Sequence, residues 1–222
     1  MHDRSDSYSG RDTTGEVWQL LESVIGVLDS DGLAAAHAEM CQQAHDLEED
    51  SNWRGFALGL KGLVLQRLGN SNEARDCLER AVDLTATYAD NFEDIANVYC
   101  QACYTLGSIL FDDMDQTQPA ILTFLRCLPY MHDVYSDLYI GNIFGFLDVL
   151  FSRQGREQES AVFAESALYY HGLESPTLES LMYSYVNLGD KERARAVLRV
   201  LLDKVTDPDS IARIEDFADR RL

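Results

Sequence analysis

Gly62-Leu63-Val64-Leu65-Gln66-Arg67-Leu68-Gly69-Asn70-Ser71-Asn72-Glu73-Ala74, with Leu78 and Ala81 behind it, decides the fold. An apolar run ends in Leu-Gly, a polar turn follows, and a second apolar pattern begins with Ala74, five residues past Gly69. The same order returns in Tyr185-Val186-Asn187-Leu188-Gly189-Asp190, followed by Ala194 and Leu198. A glycine just past a helical pattern stops the helix, and a polar residue after it starts the next one. Self-similarity between distant segments is the mark of repeat architecture. It points to stacked helices with a binding surface and away from a catalytic pocket.

Outward from these two copies the chain reads as helices throughout. Val17, Leu20, Leu21, Val24, Ile25 and Leu28 keep to one helical face, and a small-residue helix follows from Leu33 to about Leu47. Further helices are expected from about Trp53 to Leu68, Ser71 to Thr85, Asn91 to Phe111, and from the acidic turn before Pro119 to about Leu128. Tyr135–Ser152 pairs with Glu157–Tyr170, and a helix starting at Ser175-Pro176, with Ser175 as N-cap, pairs with Lys191–Val205. Asn70 and Glu73 have capping-box spacing. Asp207-Pro208 opens a last helix whose apolar stripe is Ile211, Ile214, Phe217, Ala218 and Leu222. No alternating strand pattern competes. Residues 1–13 are polar and aperiodic, a disordered tail ahead of a helical repeat domain over 14–222.

At these residues the chain resembles the tetratricopeptide repeat family, helix–turn–helix units of about 34 residues that stack into a superhelix. Gly62, Gly69, Ala74, Leu78 and Ala81 fall on that family's pattern, as do Leu181, Tyr185, Gly189, Ala194 and Leu198. Looser copies pass through Leu106-Gly107, Ala120, Phe124 and Pro129, and through Leu147, Phe151, Gly155, Ala164 and Ala167. Gly32 and Ala44 carry the faintest one. The central copies are spaced more widely than the family norm, so their helices must be longer or their loops extended. The resemblance implies an all-α, right-handed superhelix of about five antiparallel hairpins with a C-terminal capping helix.

The chain has 222 residues, 46% of them hydrophobic, and a net charge of −20 from 38 acidic and 18 basic side chains. That length supports a sizeable core. The acid excess repels phosphate backbones, so nucleic acid is not expected, and it suits a basic protein partner. The five cysteines are odd in number and scattered, unlike a secreted disulfide framework. The polar start carries no apolar leader, and no run is long enough to span a membrane. The expectation is a cytoplasmic protein without membrane contact; the source of the acidity, a salt-loving one included, stays open.

Chemistry-bearing motifs are sparse. Cys100-x-x-Cys103 with Cys127 and His132 has the residue types of a zinc site. Cys103 and Cys127 also fall on small buried repeat positions, where cysteine acts as a compact hydrophobe, and that reading is favoured. No paired-histidine metal motif, phosphate loop or nucleophile elbow occurs. No metal, cofactor or catalytic residue is expected.

The resemblance implies instead a concave face built from the first helix of each hairpin. By register it presents Phe56, Leu63, Gln66 and Arg67, then Gln101, Tyr104, Ser108 and Phe111, then Asn142, Val149 and Arg153, then Glu179, Tyr183 and Asn187. Chaperone-docking members clamp a peptide's terminal carboxylate with Lys, Asn and Arg. The matching places here include Gly59, Leu63, Tyr104 and Ser108, so that clamp is missing. The expected function is a non-catalytic protein-interaction module, a scaffold, adaptor or regulator. Tyr104, Phe111 and Tyr183 would anchor a peptide or helix, and Arg67 and Arg153 would orient it. A homo-oligomer is compatible with this face. The alternatives are a cytosolic chaperone for a secreted or membrane-seeking partner, or a metal-dependent enzyme on a helical scaffold.

Overall fold

The Leu-Gly signal resolves into one turn used three times. In this computed structural model, which describes Gly32 and residues 52–90, 93–112, 116–134, 137–173 and 175–222, helix α1 (Asn52–Arg67) turns into α2 (Ser71–Thr85). Gly69 takes φ +81°, its N–H donates to the Gln66 carbonyl at 3.0 Å, and the Asn70 N–H donates to the Leu65 carbonyl at 2.9 Å. This pair of bonds closes a helix with a left-handed residue, which glycine adopts without a Cβ penalty. Helices α6 (Asp137–Arg153) and α7 (Glu157–His171) are joined through Gly155 in the same way, with Arg156 N–H to Phe151 O at 3.0 Å. Helices α8 (Ser175–Asn187) and α9 (Lys191–Lys204) repeat it through Gly189, with Asp190 N–H to Tyr185 O at 2.9 Å. In each turn the next helix's first carbonyl receives the N–H of Ala74, Ser160 or Ala194. All three are fully buried, small residues where the two helices cross. The spacing of five between Gly and Ala is thus set by one turn plus the first helical hydrogen bond.

The chain divides into two compact units, Met1–Ala102 and Cys103–Leu222. In the first, α1 packs on α2, and Gly62 lies so close to Leu78 that an added Cβ would sit 2.6 Å from it. The division falls inside α3 (Glu93–Asp112), the longest helix described. In the second unit Gly107 of α3 meets the ring of Phe124 on α4 (Thr117–Cys127), again at 2.7 Å from an added Cβ. A four-residue helix, α5 (Met131–Val134), then precedes α6. The twenty residues of α3 and the insertion of α5 account for the wide spacing of the central copies. Here both long helices and extra loop structure contribute.

The hairpins α6–α7 and α8–α9 stack through α7 against α8. Ala161, Ala164, Leu181, Tyr185 and Ala194 form one core cluster there. Leu178, Met182 and Leu201 form the next one with Ile214 of the last helix, α10 (Pro208–Arg221). The α10 cap is as expected, with Asp207 accepting from the Ser210 N–H at 2.9 Å and Pro208 in the first turn. Asp190 caps α9 likewise, accepting from the Arg193 N–H at 3.1 Å. Two other expectations need correction. Asn70 makes no side-chain capping bond, so the spacing with Glu73 is not a working capping box. Ser175 is the first residue of α8, and so does not stand outside it as a cap. No strand occurs among the described residues, and the architecture is all-α. The expected tail and the first helix pair lie outside the described residues.

Candidate functional site: an aromatic face on the second unit

Tyr104 and Phe111 stand on the part of α3 that belongs to the second unit, two turns apart on one side. On α6, Tyr139, Asn142, Phe146, Val149 and Arg153 recur at helical spacing and share a face. The structure brings the two faces together. The Tyr104 ring lies edge-on to Tyr139 at 5.5 Å and tilted against Phe146 at 6.1 Å between centroids. Phe111 meets the same Phe146 at 4.9 Å, and Phe124 stacks beneath Phe146 at 5.1 Å. Edge-to-face pairs of this kind add about 0.5–1.5 kcal/mol to simple burial. The Arg153 guanidinium lies over the Phe111 ring, 4.8 Å from its centroid. Such a contact orients the cation and contributes about 0.5–1 kcal/mol at an exposed site.

Burial pushes the Tyr104 hydroxyl above the usual tyrosine range, and a hydrogen bond with Asn142 partly offsets this. Tyr104 therefore stays a neutral phenol throughout the ordinary pH range. Tyr104, Phe111, Asn142 and Phe146 are half-buried, so each keeps part of its surface open, and Arg153 is exposed. Asn142 and Arg153 were placed on one face with the α3 aromatics by register alone. Register does not put Tyr139 and Phe146 among them, although their spacing of seven, continued to Arg153, is legible in the sequence.

The other expected positions lie elsewhere. Phe56 and Leu63 are 4% and 7% exposed, in the core of the first unit, and are not available as anchors. Their register position faces inward because α1 has buried residues on nearly its whole circumference. Arg67 is exposed at the end of α1. Tyr183 is covered on one side by Phe217 of α10, edge-on at 4.5 Å. Its hydroxyl donates to Glu179 at 2.9 Å, and both oxygens of Glu179 accept from Arg213 of α10, at 2.6 and 3.1 Å. Burial alone would raise the Glu179 carboxyl, but the bonds from Arg213 and Tyr183 outweigh it and hold the group below its usual value. Asn187 is exposed and donates to Glu157 at 3.0 Å.

Cys100, Cys103 and Cys127 are buried, and the Cys127 thiol, directed at the Phe124 carbonyl at 3.1 Å, is pushed up to about 12 by burial. His132 is exposed and lies 6.0 Å from the Tyr170 ring. No group of three or more His, Cys, Asp or Glu side chains gathers as metal ligands among the described residues. Nor is any described helix long and apolar enough to cross a membrane.

Antiparallel hairpins joined by one recurring turn, with aromatic side chains along their first helices, define a helical-repeat binding protein. Tetratricopeptide repeat profiles match residues 57–88 and 180–208, that is, most of the α1–α2 hairpin and of the α8–α9 hairpin. The chain thus carries tetratricopeptide repeats in both of its units, and such repeats are protein-interaction modules. No curated protein matches the chain.

Proposed function

We propose that the protein is a non-catalytic scaffold, adaptor or regulator that docks a peptide or helix on the aromatic face of α3 and α6. The observation that carries this reading is the convergence of Tyr104, Phe111, Tyr139 and Phe146 beside an Arg153 oriented by Phe111. Aromatic and arginine side chains with part of their surface open dominate binding energies at interfaces. The site is narrower than the one read from register, because Phe56 and Leu63 are buried and Tyr183 is flanked by α10. Asn187 remains accessible and belongs to the proposal as an outlying contact, whereas Arg67, exposed on the first unit, is kept as a candidate contact of that unit by itself.

The test is affinity capture with the full chain, identification of the bound protein, and titration of that purified partner. Phe111→Ser with Arg153→Ala is expected to weaken binding at least about tenfold, about 1.4 kcal/mol, without lowering the melting temperature by more than a few degrees. A partner that binds the double variant as tightly as the parent chain removes this face from the function.

A further inference from the structure

The outward face of α7 presents a second surface. Gln158, Val162, Glu165, Ser166 and Tyr169 fall on one helical stripe, facing away from the α7–α8 contact made by Ala161, Ala164 and Leu168. Val162 is 58% exposed and Tyr169 82%, although both are large apolar or aromatic side chains on a regular helix. Between them opens a shallow cleft of about 450 Å³, floored by Phe144 and Tyr170. Tyr169 stands edge-on to Tyr170 at 5.0 Å, so its ring is held upright beside the cleft. Leu138 and Leu173, 61% and 51% exposed, lie at the same end of the hairpin, where His171 hydrogen-bonds the Leu138 carbonyl at 2.8 Å.

The charged side chain that lines this cleft is acidic. Glu165 lines it, is exposed, and is held in place by the hydroxyl of Tyr185. Asp137 is exposed next to Leu138. Helix α7 carries Glu157, Glu159 and Glu165 and no lysine or arginine. Between Cys127 and Asp190 the sequence holds only two such cations, Arg153 and Arg156. Arg153 lies over Phe111 on the other face, and Arg156 is engaged with Glu159 at 2.6 Å and lies over Phe151, off the stripe. Arg193, which reaches the Tyr185 ring from α9, is paired with Asp190 at 3.3 Å and also interacts, more weakly, with Glu165, but it does not line the cleft. An apolar cleft with a carboxylate at its edge selects an apolar segment flanked by cations. It disfavours a second copy of this chain, whose matching surface carries the same carboxylates and whose net charge is −20.

We propose that this α7 face docks an amphipathic segment, one or two apolar anchors beside lysines or arginines, independently of the aromatic face on α3 and α6. The anchors enter the cleft beside Tyr169, and a flanking cation meets Glu165. Val162 and Tyr169 are exposed, so replacing them leaves the core intact.

The probe is a short synthetic amphipathic helix of leucine and lysine, titrated against the full chain by calorimetry, with a leucine–glutamate helix as control. Val162→Ser with Tyr169→Ser keeps every charge and is expected to weaken the lysine peptide at least about tenfold. Glu165→Gln, which can still accept from Tyr185, should weaken it about two- to fivefold. Phe111→Ser with Arg153→Ala should leave that affinity unchanged, which separates this surface from the one proposed above. Equal affinity for the parent chain and the Val162→Ser, Tyr169→Ser variant overturns the proposal, since binding would then be diffuse attraction to an acidic body. So does a dimer of the full chain in sedimentation that the same variant dissociates, because the occupant would then be a second copy.

Discussion

Ser160 stands where the other two hairpins of the recurring turn carry alanine, and its hydroxyl changes the chemistry of that crossing. It is fully buried and donates to Asp148 Oδ1 at 2.6 Å. Its single proton being used, the 2.8 Å contact with Ser184 must have Ser184 donating. One buried carboxylate is thereby tied to helices α6, α7 and α8. Burial pushes the Asp148 carboxyl up, bonds from Ser160 and Ser180 pull it partly back, and the neighbouring charge of Glu157 adds to the rise. A folded value above the unfolded one means that the folded state takes up this proton first as pH falls. The contribution is therefore complete below the unfolded value and lost as pH rises through the folded one. Replacing Asp148 with Asn removes the titration. In denaturant melts from about pH 4 to about pH 7, the stability of the variant minus that of the parent should grow as pH rises. A difference that stays flat or shrinks would show that the fold does not raise the Asp148 carboxyl.

At the scale of the element, glycine carries opposite values in a turn and in a helix. Gly155 sits at φ +69° with open space around an added Cβ, so Gly155→Ala meets conformational strain alone, about 1–2 kcal/mol destabilising. Gly145, inside α6, also has open space and a helical backbone, so Gly145→Ala should stabilise by about 0.5–1 kcal/mol. Paired thermal melts check both signs at once. The turn glycines were legible in the sequence because their role is local: one φ, two hydrogen bonds and a fixed count to the next small residue. The same holds for Asp207-Pro208. What register could not supply was which face of a first helix remains open. Phe56 and Phe111 have the same hydrophobicity, yet one is buried and the other half-open, and only the packing of the surrounding helices decides that. The Ser160–Asp148–Ser184 tie is not legible in the sequence, because its members come from three helices and no spacing joins them.

For the molecule as a whole, 38 acidic against 18 basic side chains make self-repulsion the dominant long-range term. The ion pairs at Arg156–Glu159, Arg193–Asp190 and Arg220–Asp216 are local and exposed, and each contributes little. Salt screens repulsion over a Debye length of about 10 Å at 0.1 M, so moving from about 50 mM to about 500 mM sodium chloride should raise the melting temperature. A fall would place the weight on these surface pairs instead. The stacking of α6–α7 on α8–α9 bears on how the chain is made. Each hairpin there closes on its own neighbour, and the next one docks on the surface already present. A chain leaving the ribosome can therefore cover its apolar side chains turn by turn, with no wait for a distant strand or terminus. Helix α10 then supplies Ile214 and Phe217 to the surface that α8 and α9 leave open, so the same stepwise covering extends past the second hairpin.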